Sequence, residues 1–160
     1  MAGIRRILPD RGDLVAHATV RSDAAEAAAR RIRLRRAAEA FFAALDAKDF
    51  DAIPYHPPVV FRAPIAPGGR HFPLLGRDVV RSVWWPPLVP ILWGTRILEH
   101  FYNDSDTAIV TVADIYLRAP RVTLRVADRF EVDENGQIID QENYFDPRDA
   151  TTPRWNEQRG

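Results

Sequence analysis

The chain has 160 residues, which is enough for one domain with a sizeable hydrophobic core. Its 22 basic and 22 acidic residues balance, so the composition does not indicate a nucleic-acid or anionic-membrane partner. It contains no cysteine, which excludes a disulfide framework and a thiol nucleophile.

The first 21 residues show no clear periodicity, and we interpret them as an N-terminal extension to a domain over residues 22–149. They lack the apolar centre of a signal peptide. No apolar run elsewhere approaches the roughly 18 residues of a membrane span. We therefore expect a soluble cytoplasmic protein, with a polar and loose tail over residues 150–160.

A long helix is predicted after the extension. Asp23 and Glu26 have the spacing of a capping box, and an alanine- and arginine-rich run then continues to about Lys48. One face of this helix is apolar, because apolar residues recur at helical spacing: Leu34, Ala37, Ala38, Phe41, Phe42 and Leu45.

The middle of the chain is rich in proline. We predict a short helix or turn over residues 49–58, a strand over residues 59–63 and a loop over residues 66–75. A helix opened by Gly76 cannot pass Trp85, because two prolines follow. The segment over residues 84–93, WWPPLVPILW, is expected to form a stiff apolar rim at the mouth of a pocket.

Four strands are predicted in the remainder, over residues 96–102, 107–117, 121–132 and 138–145. The third alternates strictly, so Asp128 shares a face with apolar residues such as Val126 and Phe130. A carboxylate in such a row must be paired, hydrogen-bonded or protonated. Turns are predicted near Pro120 and at residues 133–136, and Pro147 ends the last strand.

The run from Thr123 to Pro147 resembles the C-terminal hairpin of the NTF2-like superfamily, which includes SnoaL-like polyketide cyclases, ketosteroid isomerases and limonene-type epoxide hydrolases. The resemblance covers roughly residues 34–149. It implies an α+β fold in which a curved antiparallel sheet wraps around N-terminal helices and encloses an interior pocket. It also implies a homodimer, which light scattering at micromolar concentration would detect.

The resemblance assigns roles to particular residues. Asp128 falls on the oxyanion-hole aspartate of ketosteroid isomerases, which stays protonated in order to donate a hydrogen bond. Asp114 falls on one catalytic aspartate of the epoxide hydrolases. Other functional positions differ, because Phe41 replaces a tyrosine and Ala63 a general base of the isomerases. Two further epoxide-hydrolase positions, an arginine and the second aspartate, are Val112 and Asn143 here.

Asp114 and Asp128 are together the main candidate site. Their strands form a hairpin that turns near Pro120, so we expect the two carboxyl groups on one face within about 5–8 Å. Two carboxylates that close cannot both ionise cheaply, and one would serve as acid and the other as base. The alternatives are structural: Asp114 would pair with an arginine at the sheet edge, or an arginine such as Arg62 would bridge the two aspartates.

Further candidates are weaker. His100 lies in a context similar to a catalytic histidine of scytalone dehydratase, but a lone strand histidine is more often a packed or edge residue. His56 and His71 lie in proline-rich loops. Asn143 is a candidate orienting amide. Residues expected to bind substrate are Tyr55, Phe61, Trp84, Trp85, Val112, Tyr116, Val126 and Phe145, although aromatic residues at these spacings are core by default.

These observations predict an acid/base enzyme that uses no cofactor and no metal and acts on a small apolar, oxygenated molecule of polyketide, terpenoid or steroid type. The reaction would be an isomerisation, cyclisation, dehydration or epoxide opening, with Asp128 as donor, Asp114 as base and Asn143 as orienter. The alternative is a non-catalytic small-molecule-binding or dimerisation module, because function does not follow from this fold.

Overall fold

The computed structural model describes the backbone of residues 11–151 and the side chains of residues 23–150. Helix α1 spans Arg11–Ala47 and therefore begins earlier than the predicted start at Asp23. The chain has neither glycine nor proline from residue 13 to residue 47, so no strong helix breaker precedes the capping pattern at Asp23 within that range. The first ten residues and the tail beyond residue 151 lie outside the described part.

Six strands form one curved sheet in the order β2-β1-β6-β5-β4-β3. Their bounds are β1 Tyr55–Arg62, β2 Leu74–Leu75, β3 Leu92–Tyr102, β4 Ala108–Arg118, β5 Arg121–Val132 and β6 Ile138–Tyr144. All neighbours are antiparallel except β1 and β6. Helix α1 packs against β3, β4 and β5. The α+β fold expected from the sequence is thereby confirmed.

Three short helices connect or end the strands: α2 Arg77–Val83, α3 Trp85–Leu88 and α4 Pro147–Thr151. Helix α2 stops where predicted, and Pro86 and Pro87 occupy the first turn of α3, where a missing N–H costs no hydrogen bond. Strand β1 starts before the predicted residue 59, and its pairing with β6 is irregular between Tyr55 and Val60. That irregularity accommodates the prolines at positions 57 and 58.

The face of the sheet that α1 covers, here called the inner face, holds the core. Phe130 of β5 is fully buried against Phe41 and Phe42 of α1, with ring centroids 5.3 and 6.4 Å apart. The opposite, outer face is polar and includes exposed aromatic residues, such as Phe101. No helix in the described part of the chain is long and apolar enough to cross a bilayer.

Candidate functional site

The hairpin of β4 and β5 sets which side chains share a face. Arg118 pairs with Arg121 across a two-residue turn, so every even-numbered residue of β4 lies opposite an odd-numbered residue of β5. Asp114 is therefore opposite Arg125, whereas Asp128 is opposite Thr111. The prediction that the two aspartates share one face is wrong, because their strands meet with opposite parity. Asp114 lies on the outer face and Asp128 on the inner face.

Asp114 is held by two arginines on the outer face. Arg125 Nε lies 2.7 Å from Asp114 Oδ1, and Arg96 Nη2 lies 2.9 Å from Asp114 Oδ2. Only 5% of the Asp114 side chain is exposed, because the two arginines lie over it. The side chains of these arginines are themselves about two-thirds exposed. Their hydrogen bonds lower the pKa of Asp114. This carboxylate is a structural partner with no access to the interior.

The structural alternative in which Arg62 bridges the two aspartates is wrong. Its Nη1 atom lies 2.7 Å from Asp140 Oδ2, and Arg129 approaches the other oxygen of the same carboxylate at 3.4 Å. This second ion-pair network also lies on the outer face, since Arg129 alternates with the inward-pointing Asp128 and Phe130. These arginines therefore form ion pairs with acidic residues on the outer face, and none of them pairs with Asp128 on the inner face.

Asp128 is buried, and no described residue supplies it with a counter-charge. Its exposed fraction is 1%, and neither carboxyl oxygen forms a hydrogen bond of acceptable geometry with any described residue. Burial raises the pKa of Asp128 to about 7, although the adjacent Asn143 amide opposes the shift by favouring the ionised form. Near neutral pH this carboxyl therefore exists in both protonation states, which suits a group that must give and take a proton.

Asp128 and Asn143 lie at the polar end of an inner cavity. Its volume of about 50 Å³ has room for only a few water molecules. Asp128 is the only ionisable residue among the described residues that line it. The other lining residues are apolar: Phe41, Leu45, Ile65, Trp84, Leu88, Ile91, Ile115, Leu117, Leu124, Val126, Phe145 and Ala150.

A second hollow, the outer vestibule, has a volume of about 220 Å³. It shares part of its lining with the inner cavity, and we call these shared residues the dividing wall: Ile65, Trp84, Leu88, Ile91 and Ala150. Three of them, Trp84, Leu88 and Ile91, come from the WWPPLVPILW segment. Trp84 is held by Phe61 and Phe41 at centroid distances of 4.7 and 6.2 Å.

The remaining predicted substrate-binding residues divide between cavity, core and outer face. Trp84, Val126 and Phe145 line the inner cavity together with Asn143. Phe61 is fully buried core, Trp85 packs on Phe50, and the Tyr55 hydroxyl donates to Gln141 Oε1 at 2.7 Å. Placing Val112 and Tyr116 in the pocket was wrong for the same reason of parity as for Asp114.

The histidines lie away from the cavity. His100 is on the inner face, but Thr111 stands between it and Asp128. His56 is half-buried and His71 exposed, and neither lines the cavity. Within the described residues, no group of three or more His, Cys, Asp or Glu side chains is arranged to hold a metal ion.

Several cavity residues were not found from the sequence. Ile115 and Leu117 belong to the odd-numbered row of β4, which would have been identified had the short turn been used to set the register. Leu45 and Phe41 were assigned to the apolar face of α1 but not to a cavity. Ala150 follows the last strand in a segment interpreted as loose tail, and no pattern in the sequence indicates its position.

Comparison with known proteins identifies relatives of this fold. The sequence profile of the SnoaL-like domain family matches residues 38–141, and no curated protein matches the chain significantly. Among solved structures, a steroid delta-isomerase from Pseudomonas aeruginosa is 20% identical, with a TM-score of 0.58 over 74% of this chain and 82% of that one.

Two other solved structures are similar to a comparable degree. An LEH-like epoxide hydrolase from Mycobacterium tuberculosis is 23% identical, with a TM-score of 0.56 over 74% of this chain and 86% of that chain. A putative polyketide cyclase from Sinorhizobium meliloti is 17% identical, with a TM-score of 0.57 over 71% of this chain and 98% of that one. At these identities the likeness establishes the fold and leaves the reaction open.

Proposed function

The chain belongs to the SnoaL-like domain family, and we propose that it is a cofactor-free acid/base enzyme in which Asp128 is the proton donor. The single observation that carries the proposal is a fully buried, unpaired carboxyl at the polar end of an apolar cavity. A group whose pKa lies close to the working pH is the most effective proton donor and acceptor. A buried, unpaired carboxyl also destabilises the fold when it ionises, and such groups cluster at functional sites.

The lining of the cavity favours a neutral substrate with one oxygen at one end. Asp128 and Asn143 supply the polar contacts, and every other lining residue is apolar. A ketone, enone or epoxide oxygen placed between them would accept a hydrogen bond from protonated Asp128 as negative charge develops on it. The amide of Asn143 would orient the same oxygen. Structural neighbours described as an isomerase, an epoxide hydrolase and a cyclase support this class of substrate.

The chemistry proposed here depends on one carboxyl, not two. With Asp114 on the outer face, Asp128 must receive back the proton that it donates, either from the substrate itself or from water. Isomerisation meets this requirement, because the proton removed at one position returns at another. Epoxide opening meets it when the attacking water gives up a proton, and dehydration meets it when the proton lost from carbon replaces the one given to the departing hydroxyl.

The cavity must enlarge to admit a substrate. A drug-sized ligand commonly occupies about 300–1,000 Å³, whereas the inner cavity has about 50 Å³ and the outer vestibule about 220 Å³. Displacement of the dividing wall would join the two. Trp84→Ala is therefore expected to change the affinity for an apolar ketone several-fold, whereas Trp85→Ala should not, since only Trp84 lines the cavity. Equal effects of the two variants in a titration would contradict this role for the wall.

The test is a turnover assay with a panel of small ketones, β,γ-unsaturated enones and epoxides. We expect Asp128→Asn to lower kcat/KM by about 10²–10⁴-fold, and Asp114→Asn, the matched control, to change it by no more than about two-fold. The pH profile of kcat/KM should report one group titrating near neutrality. Turnover that is unchanged in Asp128→Asn would reject the proposal.

A non-catalytic binding module is the second candidate, and the absence of a second carboxyl among the described residues of the cavity favours it. Such a module would bind panel compounds saturably, with a change in Trp84 fluorescence, but would convert none of them. Binding that survives Asp128→Asn, with no turnover by the wild type, would select this candidate.

A further inference from the structure

A row of four polar side chains crosses the inner face of the sheet. Backbone pairing places His100 of β3 beside Thr111 of β4, Thr111 beside Asp128 of β5, and Asp128 beside Asn143 of β6. We call these residues the polar row. Thr111 is fully buried, and Asp128 and Asn143 are nearly so, in a face where most of the other buried residues are apolar. Burial of four such groups side by side is costly unless they interact.

The polar row reaches the surface at its His100 end. His100 Nδ1 lies 3.0 Å from Thr111 Oγ1, and His100 Nε2 lies 3.9 Å from Glu39 Oε1 on helix α1. The Glu39 side chain is 44% exposed and also accepts a hydrogen bond from Arg35. Only one hydroxyl group therefore separates Asp128 from an imidazole that is in contact with a solvent-exposed carboxylate.

His100 and Thr111 have the chemistry needed to relay a proton. Burial, and secondarily the Arg35 charge, lower the pKa of His100, with Glu39 opposing them, so its imidazole is neutral near pH 7. A neutral imidazole has one donor and one acceptor nitrogen, and a threonine hydroxyl both donates and accepts. Each can accept a proton on one side while releasing another on the opposite side.

The cavity side offers Asp128 no comparable route. All other described lining residues except Asn143 are apolar, and an amide does not titrate. The Asp128 charge is felt at Tyr55, but the Tyr55 hydroxyl is already donated to Gln141, and burial raises its pKa well above the usual value. An apolar substrate in the cavity would exclude the remaining water.

We propose that Thr111 and His100 form the route by which Asp128 exchanges its proton with solvent, behind the cavity and not through its mouth. The proposal rests on the function of Asp128 as a proton donor. One proton moves in each transfer: the Thr111 hydroxyl gives its proton to ionised Asp128, Thr111 takes the proton of His100 Nδ1, and His100 Nε2 takes one from water beside Glu39. To return to its first tautomer, the imidazole swings toward solvent, where Nδ1 gains a proton and Nε2 loses one.

The transfer requires the Asp128 carboxyl to turn toward Thr111. Directly opposed residues of an antiparallel pair have Cβ atoms about 4.5–5.5 Å apart, so a change in side-chain rotamer spans the distance. No well-formed hydrogen bond holds either carboxyl oxygen of Asp128 among the described residues, so the rotation gives up only the contact with the Asn143 amide. Thr111 and His100 would thus act through Asp128 as positioning residues and would not touch substrate.

The test measures how fast Asp128 changes protonation state after a rapid pH jump across neutrality, in the ligand-free protein. The infrared carbonyl band of the protonated carboxyl is assigned by difference from Asp128→Asn. We expect Thr111→Val, which keeps the shape but removes the hydroxyl, to slow this relaxation by roughly ten-fold or more. His100→Phe should slow it similarly, and Thr111→Ser should restore it.

Two control variants separate the routes. Thr123→Val makes the same change on the exposed outer side of β5 and should have no effect. Leu88→Ala opens the dividing wall and should leave the rate unchanged if protons arrive behind the cavity. Wild-type rates in folded Thr111→Val and His100→Phe, with faster relaxation in Leu88→Ala, would overturn the proposal and assign the route to the cavity mouth.

The same spectra distinguish this proposal from the proposed function. If no carboxyl band titrates near neutral pH in the wild type, Asp128 is not a neutral-pH donor and the proposed function fails whatever the rates are. If the band is present but Thr111→Val and His100→Phe leave its relaxation unchanged, only the proton route fails.

Discussion

Asp114 and Asp128 lie on adjacent strands of one sheet, and both are shielded from solvent, yet their surroundings differ in every respect that matters for chemistry. On the outer face, two guanidinium groups cover Asp114 and lower its pKa. On the inner face, Asp128 has no counter-charge within the part of the chain that the structure describes, and burial raises its pKa to about 7. The partners of a carboxylate, and not its exposed area, therefore decide whether it is ionised.

The largest expected contrast between the two faces comes from their aromatic residues. Phe130→Ala removes a fully buried ring packed on two rings of α1 and should cost about 3–5 kcal/mol of unfolding free energy. Phe101→Ala on the outer face, where the ring is 51% exposed, should cost no more than about 0.5 kcal/mol. Denaturant unfolding measures both; similar losses would mean that the outer face is also packed in solution.

The second contrast is the pH dependence that Asp128 gives the fold. Its folded pKa of about 7 lies above an unfolded value of about 3.9, so the folded state holds the proton more tightly. The stability contributed is present at low pH and is lost as pH rises between those two values. The loss over the whole window is about 4 kcal/mol at roughly 1.36 kcal/mol for each pKa unit.

Asp128→Asn should remove that dependence. Relative to wild type, the variant should gain about 3 kcal/mol of unfolding free energy between about pH 5 and about pH 8, because the asparagine never ionises. Denaturant titrations at the two pH values give the difference directly. A variant that becomes relatively less stable at the higher pH would instead indicate a favourable partner for ionised Asp128.

Much of this contrast could be predicted from the sequence one strand at a time. Alternation placed Asp128 in the row of Val126 and Phe130, and the structure has it there, because side-chain parity is a local property of a strand. The fold class followed from a resemblance through the same hairpin. Local signals also misled at element boundaries: helix α1 begins before the capping pattern at Asp23, and strand β1 begins before residue 59.

Which row of β4 shares a face with Asp128 of β5 could not be predicted from alternation within each strand. Both rows of β4 contain apolar residues, with Val110 and Val112 on one side and Ile109 and Ile115 on the other, so periodicity does not say which row faces the core. Only the turn length decides, since Arg118 opposite Arg121 reverses the parity between the strands. The placement of Asp114, and with it half of the expected acid/base pair, depended on that one feature.

The smallest expected effect is that of Asp114→Asn. The wild-type carboxylate has a lowered pKa through Arg125 and, to a lesser extent, Arg96, so its contribution to stability is present above the unfolded pKa and is lost as pH falls through the folded value. Because both arginine side chains are about two-thirds exposed, solvent screens the pair and the loss on substitution should be modest.

Three measurements on Asp114→Asn test how it differs from Asp128→Asn, because the two substitutions should change the stability of the fold in opposite directions. The melting temperature of Asp114→Asn should fall at neutral pH, and the deficit should shrink toward acid pH, where wild-type Asp114 also becomes protonated. High salt should shrink it as well, since surface ion pairs are screened. A deficit that grows toward acid pH, or a loss of turnover comparable to that of Asp128→Asn, would place Asp114 in contact with the cavity and contradict the strand parity described above.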